Sequence, residues 1–147
     1  MGVPEGFRPL FRTSPVLEMI GPLYSRGEAP DLVIGLLAEA KHCNARGTVH
    51  GGIFATLADI ALGYACVAAS EDGQSKNFVT IDLSIEYMAS TRAGDWLYSE
   101  VKVLNTDSRT AAAAGHLLVE GSPVARISAN FRMARSRTPQ PSGTEDR

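Results

Sequence analysis

An α+β domain, one long buried helix wrapped by an antiparallel sheet, is what this sequence predicts, and three observations predict it. The stretch His50–Ala69 (HGGIFATLADIALGYACVAA) is too apolar for a surface helix and carries one charge, Asp59, between Ile53 and Ser70. Downstream, Asn77–Met88 alternates residue by residue and is followed by further strand-like runs joined by short turns, the pattern of an antiparallel meander. With 147 residues, 44% of them hydrophobic and 20% charged, the chain is sized for a single core of this kind.

Taken in order, Met1 to Pro15 is rich in Pro, Gly and Arg and reads as mostly irregular, with Ser14 capping a short helix from Pro15 to Ile20. Gly21-Pro22 ends that helix, so residues 1–22 form an irregular and helical lead-in to a single domain ending near Ala134. Leu23–Arg26 and Asp31–Glu39 read as strand pieces joined through Gly27 to Pro30, and Ala40–Val49 loops towards the long helix.

Within the long helix, at about 100° per residue, Ile53, Leu57, Ile60, Tyr64 and Val67 fall on one bulky stripe expected to pack on the sheet. Gly52, Ala55, Thr56, Asp59, Gly63 and Cys66 share a second, small or polar stripe, where another backbone, a partner subunit or a ligand can approach Asp59. Glu71–Lys76 reads as a polar turn. In the strand that follows, Val79, Ile81, Leu83, Ile85 and Tyr87 take one face, while Thr80, Asp82, Ser84, Glu86 and Met88 take the other. Gly94-Asp95 leads into Trp96–Leu104, Asn105–Ser108 turns into Arg109–Val119, and Glu120–Pro123 turns into Val124–Met133, where Ala125, Ile127, Ala129, Phe131 and Met133 share a face. The tail at 135–147 is polar with two prolines and reads as disordered.

Composition narrows the function. A net charge of -2, with no basic block and no interleaving of aromatics with arginines, argues against nucleic acid as a partner. The N-terminus lacks a positive head followed by an apolar run, so neither a signal peptide nor a membrane span is expected, and a cytoplasmic address follows by default. Cys43 and Cys66 read as free thiols. Cys43 beside His42 lacks an orienting third group, and His42, Cys43 and His50 have no recognisable ligand spacing, so no metal or other cofactor is expected.

Two features remain that point to chemistry. A buried ionised carboxylate costs several kcal/mol, by order of magnitude, unless it is hydrogen-bonded, paired or open to water. Asp59 is therefore either held by an amide or an arginine, or it has a reaction to serve. At the helix start, Gly51 and Gly52 bare the first N–H groups and the positive end of the dipole, which makes either an oxyanion site or simply a tight entry turn. His50 and Asp59 are nine residues apart, about 13 to 14 Å along one helix axis, and cannot act on the same atom. If both serve one reaction, the helix start of one chain must face Asp59 of another across an isologous dimer interface.

The segment NARGTVHGGIFATLAD, followed by FVTIDLSIEYM, resembles the signature of the hotdog-fold thioesterases, in particular the phenylacetate-pathway (PaaI-type) acyl-CoA thioesterase group, and the resemblance spans roughly Leu32 to Met133. It implies a hotdog fold, a long central helix wrapped by an antiparallel sheet of five to six strands. It also implies hydrolysis of an acyl-CoA thioester, without a cofactor, in a site between two subunits, with a tetramer formed from two dimers. Gly51 matches the glycine whose N–H holds the thioester carbonyl oxygen. His50 and Asn44 match positions that shape the site and help hold substrate or water, and Asp59, from the partner chain, matches the carboxylate that attacks the carbonyl or activates water. Thr80 falls where the group often has a hydroxyl that orients the water or Asp59; on the alternation above it lies opposite the apolar face and reaches the site only if that face looks into the interface. The small stripe from Gly52, with Phe54 and Met88, is the candidate border of an acyl pocket. Arg92, with Lys76, Arg109 and Arg132, is a candidate contact for CoA phosphates. Two other readings stay open: a non-catalytic acyl-CoA-binding or regulatory domain on the same scaffold, and a hotdog hydratase or dehydratase.

Overall fold

The apolar stretch forms one unbroken helix over Gly51–Ala69 in a computed structural model of the chain, which describes residues 2–70 and 77–134. The elements run β1 (Arg8–Pro9), α1 (Pro15–Ile20), β2 (Leu23–Arg26), β3 (Val33–Leu37), a 3-10 turn at Ala40–His42, α2 (Gly51–Ala69), β4 (Phe78–Tyr87), β5 (Trp96–Thr106), β6 (Thr110–Val119) and β7 (Ser122–Met133). The expected polar turn at 71–76 and the expected disordered tail at 135–147 lie outside the described residues.

All strands join one seven-stranded antiparallel sheet, in the order β1-β2-β3-β5-β6-β7-β4. The expected count of five to six strands is short because Arg8–Pro9, inside the segment read as irregular, pairs with Ser25 and Tyr24 at the sheet edge, a position where proline is tolerated. The expected meander holds only for β5-β6-β7. One edge of β5 is taken by β3, through Gly35 opposite Tyr98, so β4 lies instead against β7 at the far end of the sheet. Gly35 is required there, because a Cβ at that position would run into the Trp96 indole. The cap of α1 is as expected, with Ser14 Oγ accepting from the Leu17 N–H and Pro15 at the first helical position.

α2 packs on the sheet through a different face from the one expected. Its buried residues are Phe54, Leu57, Ala58, Ala61, Leu62, Ala65 and Cys66. Of the bulky stripe only Leu57 is buried; Ile53, Ile60, Tyr64 and Val67 flank the contact half-buried, and Cys66, assigned to the small stripe, is in the core. The helix is apolar on most sides, so periodicity alone does not choose a face, and the alanines allow the sheet to approach closely. The sheet answers with Ala111, Ala113 and Leu117 of β6 and Ala125, Ile127, Ala129 and Phe131 of β7, the last four as the alternation predicts. Burial of each large side chain in this layer stabilises by about 1.5–3 kcal/mol. By length and composition α2 would also suffice to cross a membrane; in this fold its apolar side covers the sheet.

One irregularity in β4 decides where the site lies. Thr80 pairs with Phe131 but Asp82 pairs with Asn130, so Ile81 is an extra residue, a β-bulge. The bulge inverts the alternation upstream of it. Thr80 therefore lies on the helix-facing side, in line with buried Phe131, together with Leu83, Ile85 and Tyr87, whose partners are Ala129, Ile127 and Ala125. Thr80 and Ile81 thus exchange the faces that unbroken alternation assigns them.

Candidate active site

The helix start is built by the loop before it. Asn44 Oδ1 accepts from the N–H groups of Arg46 (2.9 Å) and Thr48 (3.3 Å), and Asn44 Nδ2 donates to Thr48 Oγ1 (2.9 Å), which closes residues 44–48 into a tight turn. The Asn44 side chain is thus largely engaged in shaping the loop. His42 is buried; its Nδ1 accepts from the Glu39 N–H, so its Nε2–H donates to the Ile20 carbonyl, and His42 O in turn accepts from the His50 N–H. With both ring nitrogens engaged, His42 is a tie between the end of α1 and the entry to α2.

His50 is the N-cap, and its Nδ1 accepts from the Gly52 N–H at 2.9 Å. That bond places the proton of the neutral ring on Nε2, leaving an N–H donor at the exposed edge of the ring. The Ile53 and Phe54 N–H groups both reach His50 O. Of the first four helix donors, only the Gly51 N–H donates to nothing among the described residues. Gly52, expected to meet substrate, instead has its N–H committed to the cap.

The two glycines are there for space. A Cβ on Gly52 would lie 3.1 Å from His50 Nδ1, and one on Gly51 would lie 3.0 Å from the Tyr87 hydroxyl. Gly51 lines a cleft of about 390 Å³ with Asn44, Arg46, Phe54, Tyr87 and Met88. The structure therefore brings Asn44, Gly51, Phe54 and Met88 together. Arg92 is off the cleft wall but bridged to Thr48 through its backbone. Arg132 sits on the outer face of β7 opposite Val79, Arg109 lies in the β5-β6 turn, and Lys76 falls outside the described residues. A larger cavity, about 780 Å³, opens between the other end of α2 and the sheet, at Leu32, Ala65, Ala69, Val101 and Val103; neither Gly51 nor Asp59 borders it.

The second half of the chemistry stands further along α2. Asp59 is half-buried on the open side of the helix, and Thr80 Oγ1 donates to its Oδ1 at 2.6 Å. Eight residues of helix, about 12 Å, separate it from Gly51 within the chain. Two turns beyond Asp59, Cys66 is buried, and burial pushes its thiol up to about 11. Tyr87 is the residue that sequence reasoning misses. The available signal is a tyrosine ending the apolar face of a strand, whose hydroxyl needs a partner. Here its Oη donates to the Gly51 carbonyl at 2.7 Å.

Comparison with known proteins gives the family of the chain. The family model described as Thioesterase superfamily matches residues 46–125, from the loop that builds the helix start into β7. The candidate esterase PA0474 of Pseudomonas aeruginosa is 42% identical over 134 residues, 90% of this chain and 98% of its own. Human acyl-coenzyme A thioesterase 13 is 29% identical over 114 residues, 70% of this chain and 78% of that one. Among solved structures, a mutant of the phenylacetic acid degradation protein PaaI from Thermus thermophilus superposes with a TM-score of 0.69 at 26% identity, covering 81% of this chain and 98% of that chain. The matched region contains both the open donor at Gly51 and the Asp59–Thr80 pair, and on these matches the chain belongs to the thioesterase superfamily, with its hotdog fold and its thioester hydrolase chemistry.

Proposed function

We propose that the chain hydrolyses acyl-CoA thioesters to free acid and CoA in a site assembled from two copies, with Gly51 of one facing Asp59 of the other. The observation that carries this reading is the helix start: among the described residues three of its first four N–H groups have partners, and the one that has none, Gly51, borders a cleft. A carbonyl oxygen placed there receives the N–H and the positive end of the α2 dipole, and both interactions strengthen as negative charge develops on the oxygen. Asp59 then acts on the carbonyl carbon, directly or by taking the proton of an attacking water, and CoA leaves as a thiolate that needs little acid assistance. Thr80 donates to Oδ1 and so turns Oδ2 towards that task.

Two supports favour assembly from two copies. Within one chain the donor and the carboxylate are about 12 Å apart, too far to meet one carbonyl group. Among the described residues, β4 pairs only with β7, so its other edge is open along ten residues. If β4 pairs with its own copy about a two-fold axis, the Thr80 end of one strand lies against the Tyr87 end of the other, and the Asp59 of one chain comes to the Gly51 of its partner. Arg46 on the cleft wall and Arg92 beside it are the guanidinium groups we assign to the CoA phosphates. Acyl-CoA is chosen over other thioesters on the likeness to human acyl-coenzyme A thioesterase 13.

The test is thiol release from a panel of aryl- and fatty-acyl-CoAs, with Asp59→Asn beside the wild type. The expected result is hydrolysis by the wild type and a fall of at least about a hundredfold in the variant, with circular dichroism and oligomeric size unchanged. Binding of acyl-CoA without hydrolysis by the wild type would replace this reading with that of a non-catalytic acyl-CoA-binding domain.

A further inference from the structure

The Gly51 N–H is useful as a donor only if it keeps one direction, and the cleft contains a side chain placed to hold it. Tyr87 Oη donates to the Gly51 carbonyl at 2.7 Å, and its ring stands edge-on to Phe54, with centroids 5.5 Å apart and planes at 68°. The carbonyl it grips belongs to the same peptide unit as the Gly52 N–H, which donates to His50 Nδ1. That peptide is therefore held at its oxygen by Tyr87 and at its nitrogen by His50. Anchors at both ends restrict the rocking of that plane, and through the shared Gly51 Cα they narrow the range of directions open to the preceding N–H. The contact is also steric: at a Gly51 Cβ position, the Tyr87 Oη is 3.0 Å away and its Cζ 3.2 Å, so the tyrosine ring occupies the room that the missing side chain leaves.

Tyr87 is itself 56% exposed, so its hydroxyl could bond water almost as well and the bond adds little to folding. Its value lies in orientation, because an oxyanion donor must sit about 2.7–3.1 Å from the charge that develops, and small misplacements are costly in rate. We propose that Tyr87 is a positioning residue for the oxyanion donor: its hydroxyl fixes the Gly51–Gly52 peptide and its ring walls the cleft, so that the Gly51 N–H points at the thioester oxygen. This rests on the hydrolytic reading given above.

The experiment uses the full-length protein and two readouts. Tyr87→Phe keeps the ring and removes the hydroxyl; kcat should fall about tenfold while KM stays within about twofold, because the lost restraint matters most in the transition state. A variant with wild-type kcat, or one with raised KM and unchanged kcat, would overturn the proposal and leave Tyr87 as a wall. Thermal unfolding of Gly51→Ala, Tyr87→Ala and the double variant tests the contact without any substrate. Gly51→Ala should lower the melting temperature in the wild-type background and not in the Tyr87→Ala background; equal losses in both would overturn the contact. If the wild type releases no thiol from any acyl-CoA, the hydrolytic reading fails, whereas the unfolding cycle still decides whether Tyr87 holds Gly51.

Discussion

At its start, α2 offers a backbone donor whose neighbouring peptide is gripped by His50 Nδ1 and the Tyr87 hydroxyl; about two turns later it offers a carboxylate held, among the described residues, by the Thr80 hydroxyl. The first is made by geometry and the second by chemistry. A backbone N–H survives most substitutions but is lost when its direction changes, whereas Asp59 tolerates small movement but no change of functional group. Side-chain replacement should therefore silence the two stations in different ways.

The largest effect tests whether the stations work across chains. Gly51→Pro removes the N–H at a helix start whose His50 backbone (φ -62°, ψ 138°) is already extended as a pre-proline residue requires; its Cβ also meets the Tyr87 hydroxyl, so circular dichroism is read beside turnover. Alone it should lower turnover by about 10²–10³, as loss of one oxyanion donor does. Mixed with Asp59→Ala chains and reassociated, it should recover about one quarter of wild-type turnover, since about half the dimers are mixed and each mixed dimer keeps one intact site of two. No recovery in heterodimers verified by mass would assign both stations to one chain. Next in size is Thr80→Val, which preserves shape and removes the donor to Asp59; about a tenfold loss of kcat is expected in the same assay.

Smaller effects should appear in stability. His50→Ala strips the N-cap at the gripped end and should cost about 1 kcal/mol, read as a lowered urea midpoint. Thr56→Ala, on the open side near Asp59, removes a bond to the Gly52 carbonyl inside the helix and should shift the midpoint less. The smallest effect belongs to the buried face. The Cys66 thiol is raised from 9.0 to about 11 by burial, so between those values the unfolded chain releases a proton that the folded chain keeps. That contribution is complete below about pH 9 and is lost as pH rises towards 11. Urea midpoints should therefore fall more steeply with alkaline pH in the wild type than in Cys66→Ala.

Much of this is legible in the chain. The α2 boundaries, the Ser14 cap, β2 and the inward set of β7 follow from period, capping residues and turns, all local in sequence. The face of α2 is not legible, because bulky and small residues are both apolar there and close packing on the sheet buries the alanines. The position of β4 depends on which edge of β5 is free, a fact about β3 far away in sequence. Thr80 is a candidate from sequence, yet unbroken alternation puts it on the wrong side, since the bulge at Ile81 leaves no mark in the pattern. Gly51 and Asp59 stand out because each breaks the pattern of its own neighbourhood, and Tyr87 does not because it conforms to one.

Ile81 gives β4 something like two reading frames. Upstream of it, even-numbered positions look at the helix; downstream, odd-numbered ones do. Absorbing this one exposed residue into regular pleating, so that Phe78, Val79 and Thr80 slip by one residue along β7, would turn Thr80 outward and Val79 towards α2. Asp59 would lose its hydroxyl neighbour although neither residue had been altered. A one-residue slip in this strand is therefore a change at the carboxylate, whereas deleting Ile81 outright closes the ladder with Thr80 still opposite Phe131.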